Sequence, residues 1–339
     1  MNNILLRFFS RQQVPLWRQL IQWGFLLWCV FLGVQFGLFV HYYESGGQAS
    51  YYARPPGVEA FLPIGALVSL KAWVLAGHFD HIHPAALVLF LTFLGLALLS
   101  KKSFCSWICP VGALEEGLWK TGKRIFGRNF RIWTWLDIFL RFVKYALLLF
   151  FVKLILLDMP LQAISAFMSA PYWAISDVKM LHFFTGMSAL SLGVVSVLAL
   201  LSVFYKNFWC RYLCPYGALL GMISFFSPLK VRRSKDLCID CGSCSQACPS
   251  RIDVQHKVSV HSVECTACLT CVGACPAEDA LSVRLPLWKR AIPSWSFALI
   301  VLLLFGTGVV SGMLSGHWET SLTSLDYQRL IPMAGRMGH

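Results

Sequence analysis

Two copies of one cysteine spacing stand close together in this chain, CIDCGSCSQACP from Cys238 and CTACLTCVGACP from Cys265. Each reads CxxCxxCxxxCP, the run that holds a [4Fe-4S] cubane in bacterial two-cluster proteins. Three closely spaced thiolates on a tight loop reach three corners of one cube, and the fourth cysteine points away to the other cluster. The expected ligand sets are therefore Cys238, Cys241, Cys244 and Cys275 for one cluster, and Cys265, Cys268, Cys271 and Cys248 for its partner. Pro249 and Pro276 follow the fourth cysteines and, lacking a backbone donor, turn the chain away. Zinc and disulfides are the competing uses of cysteine. Zinc sites usually take pairs rather than interlocking quartets, and disulfides give no reason for the spacing to repeat. Eight of the thirteen cysteines are used in this way, and the chemistry they imply is one-electron transfer.

The rest of the chain has the composition of a lipid-embedded protein. It is 57% hydrophobic and 13% charged, with a mean hydropathy of +0.62, against about 25% charged in soluble domains. Five apolar stretches have the length of a membrane crossing: Leu20 to Val40, Pro84 to Leu99, Phe139 to Leu157, Thr185 to Tyr205 and Ile292 to Leu314. The first follows Arg7, Arg11 and Arg18, but its apolar core is too long for a signal peptide and no small-residue cleavage site follows, so it reads as a retained anchor.

Lys and Arg near span ends stay on the cytoplasmic side. They crowd the N-terminus and the connection from Lys101 to Lys144, whereas the connections His41 to His83 and Asp158 to Phe184 hold only Arg54, Lys71 and Lys179. The N-terminus and the cysteine-rich module are therefore expected in the cytoplasm, and the C-terminal tail outside. The net charge of +13 is explained first by this topology and by anionic lipid, not by nucleic acid. The fold class is an α-helical polytopic membrane protein with a small α+β two-[4Fe-4S] ferredoxin-like module. Its expected divisions are a membrane domain of four spans at 1–226, a cytoplasmic module at 227–290, a fifth span at 291–314 and a periplasmic tail at 315–339.

A repeat organises the membrane part. LALLSKKSFCSWICPVGAL at Leu96 aligns with LALLSVFYKNFWCRYLCPYGALL at Leu198, and from the first cysteine the offset is 105 residues: Cys105 with Cys210, Cys109 with Cys214, Pro110 with Pro215, Gly112 with Gly217. Both copies follow an even number of crossings, so they form a parallel repeat. Each unit also has a shorter apolar stretch, Phe61 to Gly77 and Pro160 to Ala174, read as re-entrant or interfacial half-helices, with full spans as the alternative. Within each CxxxCP the two sulfurs are expected on one helix face, about 6 Å apart along its axis. If the repeat axis brings Cys105, Cys109, Cys210 and Cys214 together, they suffice for a further iron-sulfur centre. The other reading is small buried hydrophobes or redox-active thiols. Cys29 reads as packing.

Other groups carry weaker signals. Quinol oxidation releases protons, which favours histidine or carboxylate at the membrane boundary. The HFDHIH run offers His78, Asp80, His81 and His83, with a hydrated loop as the alternative. Asp158 and Asp177 read as helix caps. No histidine pair suits a membrane haem, and there is no GxGxxG, Walker or GxSxG motif, so nucleotide-binding and hydrolase readings lack support.

Duplicated CxxxCP motifs followed by two ferredoxin runs resemble the NapH-type membrane ferredoxins, a group that includes NosR and CcoG relatives. The likeness runs from the first span through Val283. It implies an integral electron-transfer subunit of a bacterial inner membrane, passing electrons between the quinol pool or a cytoplasmic donor and a respiratory redox partner, such as an iron-sulfur protein, cytochrome or periplasmic reductase. The alternative it carries is a membrane-bound reductase or maturation factor that supplies electrons for metal or cofactor assembly. The chain lacks a NosR-type flavin-binding domain, and it continues beyond the shorter NapH pattern into a fifth span and the Ser315 to His339 tail.

Overall fold

In the computed structural model, which describes residues 14–285 and 291–335, regular structure is overwhelmingly helical. Arg7, Arg11 and the last four residues of the tail lie outside the described residues. Helices lie at all five expected stretches: Val14–Glu44, Pro84–Ser100, Thr134–Val152, Ala189–Phe204 and Ser294–Leu314. Proline opens several helices, Pro63, Pro84, Pro110, Pro171 and Pro215 among them, because its fixed φ suits the first turn and its missing N–H is not needed there. Gly77 and Gly127 end Pro63–Ala76 and Pro110–Phe126 in the left-handed region, at φ 69° and 70°, where a side chain would be strained.

Val14–Glu44 and Ser294–Leu314 are each long and apolar enough to cross a membrane unaided. Their outward residues, Leu27, Trp28, Phe31 and Val34 on one and Leu299, Val310 and Leu314 on the other, are exposed large hydrophobics, the kind of surface lipid covers. Pro84–Ser100 has 17 residues, about 26 Å of helix and the short limit for a crossing. The other two expected stretches are interrupted. Thr134–Val152 passes into a π-helical turn, Lys153–Asp158, and the chain then bends by 103° into Leu161–Ser169. Thr185 does not begin the fourth long helix, as the hydropathy suggested. It ends Ser176–Thr185, and a 78° bend through Gly186 precedes Ala189–Phe204. Pro160–Ala174 is two short helices, Leu161–Ser169 and Pro171–Ala174, because Pro171 stops the first.

The chain divides into two compact units. The first comprises Met1–Leu26, Phe93–Leu148 and Ser196–Gly306, and therefore contains every cysteine of both motif types. Its sheet is one antiparallel pair, β1 (Lys230–Arg233) with β2 (Leu281–Arg284), in register from Lys230 opposite Arg284 to Arg233 opposite Leu281. This pair clasps the two ends of the cysteine-rich module. Arg18, 1% exposed, makes a two-pronged bond to Glu116 at 2.9 and 2.5 Å and donates to the Ser106 carbonyl at 3.1 Å. Its charge is neutralised inside the unit, and removing one partner of such a buried pair costs about 3–5 kcal/mol. Gly122 of Pro110–Phe126 lies so close to the Val203 carbonyl that an added methyl would stand 1.8 Å from that oxygen.

The second unit comprises Leu27–Thr92, Leu149–Val195 and Thr307–His339. Phe36, Phe39, Val40 and Tyr43 pack with Ile175, Val178, Tyr327 and Ile331 in its core. Tyr327 belongs to the tail helix Ser324–Leu330, which a Thr323–Asp326 capping box starts, so this part of the tail covers its own unit. Lys71 is buried and donates to the carbonyls of Ile155, Leu156 and Met159 at 3.0, 3.0 and 2.6 Å. It thereby caps the carbonyl end of the π-turn at the 103° bend.

The Gly122 contact is testable. Gly122→Ala overpacks a backbone contact and is expected to destabilise by about 1–3 kcal/mol, lowering the melting temperature in detergent. Gly95→Ala, where nothing lies within 4 Å of the added methyl, should melt at or slightly above wild type. Equal melting of the two variants would refute the close approach.

Candidate metal-cluster sites

The two cysteine loops fold alike. In each, the second residue after the first cysteine and the fourth are left-handed: Asp240 and Gly242 in the first loop (φ 52° and 74°), Ala267 and Leu269 in the second (φ 47° and 56°). That alternation coils each loop tightly, and it costs roughly 1–2 kcal/mol at each non-glycine position. In the second loop the strained backbone is held from outside: Ser106 Oγ donates to the Thr266 carbonyl at 2.7 Å and Trp107 Nε1 to the Ala267 carbonyl at 3.0 Å. Arg211 donates to the Ser250 carbonyl at 2.8 Å, just after Cys248 and Pro249.

Cys248, Cys265, Cys268 and Cys271 line one cavity, together with Pro249, Ile252, Val254 and Leu269. The distant Cys248 thus joins the three local cysteines, as the interlocking pattern anticipates. Burial pushes the Cys248 thiol up to about 12 and raises Cys265 and Cys271 as well, so these sulfurs become thiolates only with cations beside them. In the other set Cys244 and Cys275 lie within electrostatic reach of each other, Cys241 is exposed and Cys238 half-buried. Hydrogen bonds from Ser243 hold Cys241 below the usual thiol value. Among the described residues no three Cys, His or carboxylate groups converge as they would on a single ion. A cubane spreads its four thiolates over four irons and takes a wider cage. The donor chemistry, all sulfur in an apolar lining, fits such a cluster.

The CxxxCP copies also fold alike, though not as one helix each. Phe104–Trp107 and Phe208–Tyr212 are short helices, and the second cysteines, Cys109 and Cys214, are extended residues that start Pro110–Phe126 and Pro215–Ser224. The expected single helix face is corrected here: proline disfavours helical backbone in the residue before it, so Pro110 and Pro215 break the chain between the sulfurs. The glycines two residues after those prolines permit the resulting hairpin. A methyl on Gly112 would meet the Cys105 carbonyl at 2.1 Å, and one on Gly217 would meet the Cys214 sulfur at 3.4 Å. The Gly217 amide donates to that sulfur at 3.2 Å. All four thiols are raised by burial, Cys105 to about 11, and each of Cys105, Cys109 and Cys210 is raised further by the charge of others in the set.

Sequence reasoning missed the charged groups beside these sulfurs. Lys102 and Lys144 are 4% and 0% exposed, and both face Glu264, the residue before Cys265. Glu115 accepts from Ser202 Oγ at 2.6 Å, lies near Cys210 and is pushed up to about 7 by burial. The double lysine at 101–102 was legible only as topological charge.

The HFDHIH run separates into two kinds of residue. His78 and His81 are exposed, while Asp80 and His83 are 2% and 0% exposed, so a hydrated loop does not describe the latter pair. Asp80 accepts from Ser69 Oγ at 2.8 Å, Trp173 Nε1 at 3.1 Å and the amide of Ile82 at 2.9 Å. His83 Nδ1 lies 3.3 Å from Glu59 and its Nε2 lies 2.8 Å from the Trp173 carbonyl. Arg54 Nη2 also lies 3.4 Å from Nδ1 and Ser176 Oγ 3.1 Å from Nε2, so the ring sits among donors as well as acceptors. Although burial opposes the charge, Glu59 and Asp177 outweigh it and raise the pKa. Arg54 completes the set, at 2.7 Å from Glu59 and 2.7 Å from Asp177. Asp177, expected as a cap, is chiefly an ion-pair partner, and Asp158 pairs with Lys153 on the surface.

Comparison with known proteins agrees with the cysteine architecture. A family profile described as a 4Fe-4S binding domain matches residues 82–129 and 186–234, one CxxxCP copy in each, and another described as a 4Fe-4S dicluster domain matches 230–276. YccM of Escherichia coli (strain K12), a protein named for electron transport, is 43% identical over 95% of this chain and 92% of its own length. The ferredoxin-type protein NapH of the same organism is 25% identical over 55% of this chain and 63% of its own. The methylamine utilization ferredoxin-type protein MauN of Paracoccus denitrificans (strain Pd 1222) is 27% identical over 49% and 54%. No solved structure matches the chain. With a full-length relative, iron-sulfur profiles over both motif types and apolar spanning helices, the chain is a membrane protein and belongs to the NapH-type membrane ferredoxins.

Proposed function

We propose that this chain is a multi-pass electron-transfer subunit of a bacterial inner membrane, passing electrons between the quinol pool or a cytoplasmic donor and a respiratory redox partner. The observation that carries the reading is the gathering of Cys248 with Cys265, Cys268 and Cys271 around one apolar cavity, across 17 residues of sequence. Those four residues hold one [4Fe-4S] cluster, and Cys238, Cys241, Cys244 and Cys275 hold the other. Bound clusters supply one-electron exchange without proton chemistry of their own. The protein's part is to set access. The exposed Cys241 side of the module suits approach by a soluble partner, whereas the Cys265 set is enclosed by residues 106, 107 and 211.

Quinol as donor is supported by the buried Arg54, Glu59, His83 and Asp177 set, with exposed His78 and His81 in the same loop, because a quinol surrenders protons with its electrons and needs acceptors near the boundary. The relatives named as an electron transport protein and as ferredoxin-type proteins support an electron-carrying role.

The test uses full-length protein purified anaerobically in detergent. Dithionite should bleach the cluster absorbance and yield reduced-cluster EPR signals, and Cys271→Ser should remove one cluster's iron while leaving the other. Material that contains zinc or stays silent with dithionite would sink the reading. A short-chain quinol should reduce wild-type clusters at least tenfold faster than Glu59→Gln or His83→Gln protein. Variants that respond to dithionite and quinol like wild type would remove these residues from any quinol site, and wild type that reacts only with a cytoplasmic donor would leave the quinol out altogether.

A further inference from the structure

The antiparallel clasp places like charges together. Lys230 stands directly opposite Arg284, and Arg232, two residues along on the same face, adds a third cation. Like charges set opposite one another in a ladder repel and cost stability. Among the described residues no carboxylate pairs with any of the three, although the next residue, Arg233, on the other face, is bonded to Asp240 at 3.2 Å. Arg232 Nε is buried without a partner. His261 Nδ1 lies 3.1 Å from Lys230 Nζ. Burial, together with Lys230, Lys101, Arg232 and Lys257, holds that imidazole below its usual value, as an excess of positive charge does.

Apolar surface adjoins this charge. The Phe225 ring lies 6.4 Å from that of His261, and Phe226, next in the chain, is 74% exposed. Ser227 follows and ties the corner to the end of Pro84–Ser100, accepting from the Lys101 amide at 2.9 Å and donating to the Leu99 carbonyl at 3.0 Å. Leu98 and Leu99 are themselves exposed. The surface therefore passes from the apolar end of an expected span, through two phenylalanines, to cations that lack a counter-charge.

We propose that the Phe225–Phe226 corner and the clasp face of Lys230, Arg232, Arg284 and His261 bind an anionic phospholipid, its phosphate among the cations and its chains against the phenylalanines. The order of chemistry along this surface, apolar and then cationic, is that of a phospholipid read from acyl chain to headgroup. A free phosphate or an acidic soluble protein would answer the charge, but neither uses exposed aromatic surface continuous with the end of an apolar helix. The bound lipid supplies the anion that the clasp lacks. Because β1 and β2 join the two ends of the cysteine-rich module, the same contact holds that module at the membrane boundary. The site is independent of the electron-transfer reading above.

The probes are phosphatidylglycerol and phosphatidylcholine, added to full-length protein purified in detergent and stripped of lipid, with bound lipid counted by native mass spectrometry and melting followed in parallel. Wild type should hold phosphatidylglycerol about tenfold or more tighter than phosphatidylcholine and melt higher with it. Each cation near a membrane surface is worth about fivefold in binding. Lys230→Ser with Arg284→Ser should therefore weaken phosphatidylglycerol by about 25-fold and leave phosphatidylcholine unchanged. Lys235→Ser with Arg329→Ser, two exposed cations elsewhere, should behave as wild type. Equal retention of the two lipids by wild type, an unchanged clasp variant, or equal losses in both double variants overturns the proposal. Glycerol 3-phosphate that raises the melting temperature as much as phosphatidylglycerol would reveal a plain phosphate site and overturn the lipid. Should the clasp variant fail to fold, Phe226→Ser keeps every cation and should still weaken phosphatidylglycerol by about tenfold; wild-type retention by that variant overturns the site.

Discussion

The second cysteine loop depends on side chains supplied from far away in the sequence. Its left-handed residues Ala267 and Leu269 strain the backbone, and the carbonyls of Thr266 and Ala267 are bonded by Ser106 and Trp107 of the first CxxxCP copy. Arg18 in turn holds the Ser106 carbonyl while paired with Glu116. Each bond is worth only about 1 kcal/mol net, but leaving any of these buried groups unpaired would cost more. The short Phe104–Trp107 helix is therefore both half of a cysteine hairpin and the support of a ferredoxin loop, so the two motif types form one structural object.

Much of this was legible in the residues. Cysteine spacing is chemistry written locally, and the gathering of Cys248 with Cys265, Cys268 and Cys271 around one cavity follows from it. Hydropathy located the long helices, since burial in lipid demands continuous apolar sequence. Bends were less visible. The bend at Gly186 falls inside a stretch that hydropathy reads as one span, and the corner at Pro160 at the edge of another. The sulfur pair within CxxxCP was misjudged because helical periodicity was applied across a residue that proline keeps extended.

Charged residues were the least legible. A lysine or arginine in a linear sequence reads as a loop charge, and Arg18, Arg54, Lys71, Lys102 and Lys144 are all buried. Their partners lie tens of residues away, at Glu116, Asp177, the 155–159 carbonyls and Glu264. No periodic pattern links them, so only the three-dimensional arrangement reveals that the charges are structural. The same holds for His83 and Asp80, whose partners Glu59 and Trp173 come from separate helices.

Lys71 shows what such a distant pairing means for assembly. An ammonium has three protons, and here each has its own carbonyl, so the amine replaces the donors that an uninterrupted helix would have offered the 155–159 segment. The corner after Asp158 accordingly has no complete set of partners until the Pro63–Ala76 helix is present. Synthesis from the N-terminus makes that helix first, so the clamp exists before the segment it must close emerges.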